Sequence, residues 1–152
     1  MPLVIRAARP ADTPVIADFN RRMAWETERR ELDPTVLAQG VAAVLADPVK
    51  GRYLVAEQAG ELVGQLMLTL EWSDWRNGWF WWIQSVYVRP DARRQGVFRA
   101  LYDEVVRQAR SQGDVIGLRL YVEHDNVTAQ ETYRRLGMVV TGYGLMERCP
   151  LE

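Results

Sequence analysis

Read from its N-terminus, the chain alternates short apolar runs with stretches whose apolar residues fall at helical spacing. Leu3 to Ala8 has the pattern of a short strand. Pro10-Ala11-Asp12 then opens a helix on which Val15, Ile16, Phe19 and Met23 recur, until the polar run from Thr27 to Glu31 ends it. Val36, Leu37, Val41, Val44 and Leu45 predict a second helix from Pro34 to Leu45, closed by Asp47-Pro48. Tyr53 to Glu57 and Glu61 to Trp72 flank Gln58-Ala59-Gly60, which has the spacing and turn chemistry of a hairpin. The aromatic run from Trp79 to Val88 predicts a central strand, ended by Pro90. Val97, Leu101, Val105, Val106 and Ala109 describe a helix from Val97 to Gln112, with Gly113 as its stop. Val115 to Val122 is a further predicted strand, Thr128 to Leu136 a short helix stopped by Gly137, and Met138 to Glu147 a last strand.

The predicted order is therefore β-α-α-β-β-β-α-β-α-β. A strand-helix-strand passage between positions 79 and 122 implies a right-handed parallel crossover, whereas the hairpin before it is antiparallel. The fold class is α/β (α+β), with a mixed central sheet and helices on both faces. Such a sheet supports many chemistries, so function has to come from sites.

Composition narrows the choice. A chain of 152 residues with 48% apolar side chains suits one domain spanning 1–152, large enough to build a core without metal or disulfide staples. The 19 Lys and Arg against 20 Asp and Glu leave a net charge of −1, too little to gather nucleic acid or anionic lipid. One cysteine, Cys149, and one histidine, His124, provide neither a bridge nor a Cys/His metal set. Trp79 to Ile83, broken by Gln84, falls far short of the ~20 apolar residues that a membrane span takes, and Arg6 and Arg9 interrupt any signal core. These features lead to the expectation of a soluble cytoplasmic protein without metal, nucleic-acid or membrane partners.

The first chemical signal is Arg93-Arg94-Gln95-Gly96-Val97-Phe98, between the aromatic strand and the long helix. First-turn N–H groups lack helical partners and sit at the positive end of the dipole, glycine admits a close approach, and guanidinium groups add charge-assisted bonds. A diphosphate fits this description. No Gly-Lys-Ser/Thr follows, as a Walker loop requires, and one glycine is too few for a dinucleotide fingerprint. The same residues also suit an ordinary polar strand-to-helix turn.

In its surroundings, the stretch from Val86 to Phe98, followed by the helix containing Leu101, resembles the acyl-CoA-binding segment of the GNAT superfamily of N-acetyltransferases. Leu118 to Val122 followed by Asn126, Ala129, Tyr133 and Leu136-Gly137-Met138 resembles the second block of that superfamily. The resemblance implies a GNAT-like fold, acetyl-CoA as co-substrate and direct attack by an amine in a ternary complex. It implies that Val86 and Val88 pair through their backbone with the pantetheine arm, and that the amide of Val86 faces the thioester oxygen. The amides of Arg94, Gln95, Gly96, Val97 and Phe98 would hold the diphosphate, with Arg93 or Arg94 outside; Phe98 departs from the usual Gly or Ala. Asn126 resembles the pantetheine contact and Tyr133 the tyrosine beside the sulfur, a general acid for the departing thiolate. Taken alone, Asn126 also reads as a helix cap and Tyr133 as a core aromatic.

An attacking amine must lose a proton, for which a carboxylate suits. Glu123 is a candidate on strand parity with Tyr121, as are Glu26, Glu28 and Glu31 on the acceptor side that the resemblance implies; His124 has the opposite parity. Five of the six tryptophans lie between Trp72 and Trp82, and Trp72 and Trp75 are candidates to line an acceptor pocket against a cation. The segment from Trp72 to Gly78 is similar to diamine acetyltransferases, whose acidic pair is replaced by Gln84 and Ser85. A small-molecule amine acceptor follows, and the resembling family makes a homodimer an open option. Two other classes compete. One is a noncatalytic acyl-CoA-binding regulatory module, which Phe98 and the missing acidic pair favour. The other is a single-strand nucleic-acid binder using tryptophans and arginines, which the near-neutral charge opposes.

Overall fold

The computed structural model describes all 152 residues, which pack as two units, Met1–Leu120 and Tyr121–Glu152. The first unit is built on a five-stranded sheet of order β1-β2-β3-β4-β5: β1 Leu3–Ala7, β2 Arg52–Gln58, β3 Glu61–Ser73, β4 Gly78–Val88 and β5 Val115–Leu120. The first four strands run antiparallel to their neighbours, and β5 joins β4 in parallel. The mixed sheet expected from the sequence is present. Helices α1 Thr13–Glu28 and α2 Pro34–Ala46 precede β2, and α3 Val97–Gln112 forms the crossover from β4 to β5.

Alternation along β2 explains how one sheet carries two cores. Tyr53 and Val55 turn to one face, where they pack with Ile16 and Phe19 of α1, Val41 of α2 and Tyr87 of β4. Leu54 and Ala56 turn to the other face, shared with α3, whose buried side is Val97, Leu101, Tyr102, Val105 and Ala109. Burial on both faces is why β2 reads as a continuous apolar run. Arg52 fastens α3 to the sheet by donating to Gln108 at 2.7 Å, with its guanidinium 4.8 Å from the Trp81 ring centre. At the N-terminal edge, Arg6 of β1 bridges Asp12 at 2.8 Å and Glu57 at 2.7 Å, and the guanidinium holds the Asp12 carboxyl below its ordinary range. Asp33 caps α2, accepting from the Thr35 amide at 2.9 Å.

The second unit contains α4, Val127–Arg135, and a segment from 138 to 152 with no regular secondary structure. The predicted last strand from Met138 to Glu147 is therefore absent. Its apolar residues Val139, Val140, Tyr143, Leu145 and Met146 are all exposed, Gly142 and Gly144 weaken the extended state, and no ladder pairs it. β5 also stops at Leu120, two residues before the predicted end at Val122. No helix is long and apolar enough to cross a membrane.

Candidate functional site

The middle of β4 carries the main irregularity of the sheet. Gln65 pairs with Tyr87 and Met67 with Gln84, so Ser85 and Val86 together oppose Leu66 in a bulge. Ser85 takes a left-handed conformation with φ of 51°. On the other side of β4, pairing with β5 ends at Ile83↔Leu120. From Gln84 to Val88, β4 thus has β3 along one edge and no strand along the other, so this stretch of backbone can accept an extended ligand as an added strand. Arg89 donates its amide to Val63 at 2.8 Å on the β3 side, so the backbone groups of Val88 point to the open edge by alternation.

A buried polar chain underlies the bulge. Gln65, fully buried, donates from Nε2 to the Ser85 carbonyl at 3.1 Å and to Asn20 Oδ1 at 2.8 Å; Asn20 in turn donates to the Tyr53 hydroxyl at 3.3 Å. Gln65 Oε1 is buried with no partner. Burial pushes the Tyr53 phenol above its ordinary pKa.

Beyond β4, a single turn at Pro90–Ala92 leads into Arg93 to Gly96 and then α3. Arg94 and Gly96 have φ of 62° and 83°, Gln95 donates to the Asp91 carbonyl at 3.0 Å, and Gly96 caps α3 with no side chain. The first intrahelical bond is Ala100 to Gly96 at 3.0 Å, so the donor end of the helix lies at this turn. The turn sits close to the sheet because position 64 is glycine: a Cβ there would come within 2.8 Å of the first helical side chain, Val97. The Phe98 ring lies one helical turn along, 6.1 Å from Tyr102, an i,i+4 pair along α3.

The two arginines of the turn have separate fates. Arg93 donates from Nε to the Val88 carbonyl at 2.8 Å and from Nη2 to Glu26 at 2.8 Å, and lies over the Tyr87 ring. It is a clamp between α1 and the end of β4, while Arg94 is exposed. Glu26 also accepts from the Tyr87 hydroxyl at 3.3 Å, and burial together with the Glu26 charge raises the Tyr87 pKa. The acceptor-side candidates Glu26, Glu28 and Glu31 are all exposed, and of the three Glu26 is hydrogen-bonded to Tyr87 and Arg93. Gln84, next to the bulge, donates to Thr69 at 2.6 Å.

Trp72 and Trp75 are placed elsewhere. Trp72 pairs with Trp79 at the hairpin end of β4, its ring edge-on at 4.9 Å, seven residues or about 23 Å of strand from Val86. Trp75 is exposed in the hairpin loop. The long hairpin separates this aromatic cluster from the bulge, a distance that composition does not reveal.

In the second unit, Asn126 caps α4, accepting the Ala129 amide at 3.0 Å on its Oδ1. The capping alternative is realised through the side-chain oxygen. Tyr133 on α4 is half-buried, and burial raises its pKa. Glu123 is exposed in the loop after β5, so the strand parity that paired it with Tyr121 does not apply. Its carbonyl, with that of His124, accepts from Gln130.

The sequence reading missed Gln65, Asn20 and Gly64. A polar residue and a glycine inside the apolar run Leu62–Leu70 were the available signals.

Comparison with known proteins bears on the whole arrangement. A family model described as the acetyltransferase (GNAT) family matches residues 16–138. The chain is 30% identical over 142 residues to the L-amino acid N-acyltransferase MnaT of Escherichia coli K12, covering 90% of this chain and 80% of that protein. It is 29% identical over 142 residues to the L-methionine sulfoximine/L-methionine sulfone acetyltransferase of Pseudomonas paraeruginosa PA7, covering 91% and 81%. Among solved structures, a possible acetyltransferase from Clostridium difficile 630 is 43% identical with a TM-score of 0.93, covering both chains fully. A predicted acetyltransferase with acetyl-CoA from Clostridium acetobutylicum shares the fold at 16% identity and a TM-score of 0.78, covering 97% and 96% of the two chains.

Proposed function

Since the chain belongs to the acetyltransferase (GNAT) family and is an N-acetyltransferase, we propose that it transfers the acetyl group of acetyl-CoA to the α-amino group of a small amino acid. The observation that carries this reading is the bulged, open edge of β4, followed after the turn from Arg89 to Gly96 by a helix start with no side-chain cap. An acyl-CoA has an extended amide-bearing arm and a diphosphate, and this stretch of chain offers main-chain hydrogen-bonding groups first and a donor cluster second. Val86 through its main chain and Val88 through its N–H, the Val88 carbonyl being taken by Arg93 Nε, would hold the arm; the amides of Arg94, Gln95, Gly96, Val97 and Phe98 would hold the diphosphate. Arg94 supplies the outer positive charge, because Arg93 is committed to Val88 and Glu26.

In the reaction the amine lone pair attacks the thioester carbon, the carbonyl oxygen gathers negative charge, and the carbon–sulfur bond breaks to release CoA. A main-chain N–H from Val86 offsets that charge as it develops. The family resemblance assigns to Tyr133 the return of a proton to the departing thiolate; its phenol, whose pKa burial raises, is protonated at neutral pH. Asn126 is assigned to the pantetheine arm through its NH₂ group. The amine, an ammonium in neutral water, gives up its proton to a carboxylate directly or through water; Glu26 and Glu123 are the candidates, with Gln84 on the acceptor side.

The amino-acid acceptor is drawn from the names of the two relatives, which are 30% and 29% identical. Replacement of the acidic pair by Gln84 and Ser85 also argues against a diamine, whose second cation would then lack a counter-charge. Thiol release measured over a panel of L-amino acids, including L-methionine sulfone, against diamines and the matching decarboxylated amines tests the reading. Turnover of amino acids above amines is expected; turnover of diamines alone would overturn the acceptor assignment, and acetyl-CoA binding without any turnover would revive the noncatalytic module.

A further inference from the structure

We propose that Gln65, held by Asn20 and Tyr53, is a positioning residue that sets the β4 bulge and thereby aims the Val86 amide at the acyl carbonyl. A left-handed serine inside a strand is a sparsely populated backbone state that persists only where its surroundings impose it. A bulge also takes the extra residue out of the ladder, so the carbonyl of Ser85 needs a donor from outside the strand. Gln65 Nε2 provides one at 3.1 Å.

The polarity of the chain follows from that bond. The Ser85 carbonyl can only accept, so the NH₂ end of Gln65 must face it. Its second N–H then meets the oxygen of Asn20 at 2.8 Å, which turns the Asn20 NH₂ toward Tyr53 at 3.3 Å. Every orientation is dictated from the bulge outward, across α1, β2 and β3. Gln65 is completely buried and leaves Oε1 without a partner, a cost that an apolar side chain of equal size would avoid. A residue kept for packing alone has no reason to be an amide here.

This inference rests on the acetyl-transfer reading, and its test separates the two. Gln65→Met removes both donors at similar volume; Asn20→Ser, a smaller lesion that releases the second Gln65 bond and the bond to Tyr53 but leaves the Gln65 bond to Ser85, serves if the first variant does not fold. Tyr53→Phe is the control, because it unties the far end of the chain and leaves the Gln65 bond to Ser85 in place. For each, kcat, acetyl-CoA affinity, melting temperature and the affinity for S-ethyl-CoA, a thioether without the carbonyl oxygen, are measured.

The expected result for Gln65→Met is a loss of kcat of about tenfold or more with acetyl-CoA affinity within about threefold, since the helix-end donors are untouched. Asn20→Ser should show a smaller loss of the same kind. The wild-type preference for acetyl-CoA over S-ethyl-CoA should shrink in both and persist in Tyr53→Phe, even where all three melt at lower temperature. Unchanged kcat in Gln65→Met, or an unchanged preference for the thioester, would overturn the proposal while the acyltransferase stands. A wild-type protein that neither binds acetyl-CoA nor turns over would overturn the acyltransferase reading and this proposal with it.

Discussion

At the scale of single residues, burial has made several side chains into instruments. Tyr133, the proposed general acid, is the sharpest case: burial raises its phenol pKa, so it is protonated at neutral pH. Tyr133→Phe is expected to cut kcat much more than acetyl-CoA affinity, and the alkaline fall in kcat should lie above about pH 10 in the wild type and disappear in the variant. Steady-state kinetics against pH, with calorimetry for binding, checks both; unchanged turnover would remove Tyr133 from the mechanism. Arg93 behaves differently from the reading its sequence neighbourhood invites. With Nε on the Val88 carbonyl and Nη2 on Glu26, it fastens α1 to the end of β4. Arg93→Gln should therefore raise both the acceptor KM and the acetyl-CoA KM in steady-state kinetics, whereas Arg94→Gln should raise the acetyl-CoA KM alone.

At the scale of elements, the pattern of apolar residues was legible wherever an element faces both water and core. The span of α3 from Val97 to Gln112 is the one that Val97, Leu101, Val105 and Ala109 predict, and β4 needed a correction of one residue. The predicted strand over Met138–Glu147 failed because alternation alone does not create a partner edge, and Gly142 and Gly144 lie inside it. The bulge in β4 was invisible for a related reason: Ser85 is neither glycine nor asparagine, and its left-handed backbone is held by tertiary contacts from β3. The turn at Arg93 to Phe98 was recognisable locally, yet its seat on the sheet depends on Gly64. Gly64→Ala would drive a methyl group to 2.8 Å from Val97 Cγ1 and 3.2 Å from the Tyr87 carbonyl. We expect it to cost about 1–3 kcal/mol of stability and to weaken acetyl-CoA binding by shifting the start of α3. Thermal melts and calorimetry on the one variant read both effects; intact affinity at reduced stability would detach the turn from the sheet contact.

At the scale of the whole molecule, titrating groups set the pH window of folding. Asp12, held by Arg6, and Glu104, lowered to about 2 by Arg107 and Gln108, have native pKa values below their ordinary ones. Their contribution is complete above the ordinary values of 3.8 and 4.5 and is lost as pH falls through the native ones. Tyr53, Tyr87 and Tyr102 are shifted the other way by burial, so their contribution is complete below about pH 10 and is lost as pH rises through the raised values. Melting temperature should therefore fall at both extremes, with Asp12→Asn flattening the acid limb; an acid limb unchanged in that variant would contradict the role of the Arg6 pair. The central claim is that the stretch from Val86 to Phe98 receives acetyl-CoA, and a crystal structure with acetyl-CoA bound tests it most directly. The account predicts the thioester oxygen about 3 Å from the Val86 amide and the diphosphate on the amides of Arg94 to Phe98; a carrier bound elsewhere, with the edge from Gln84 to Val88 covered by protein, would contradict it.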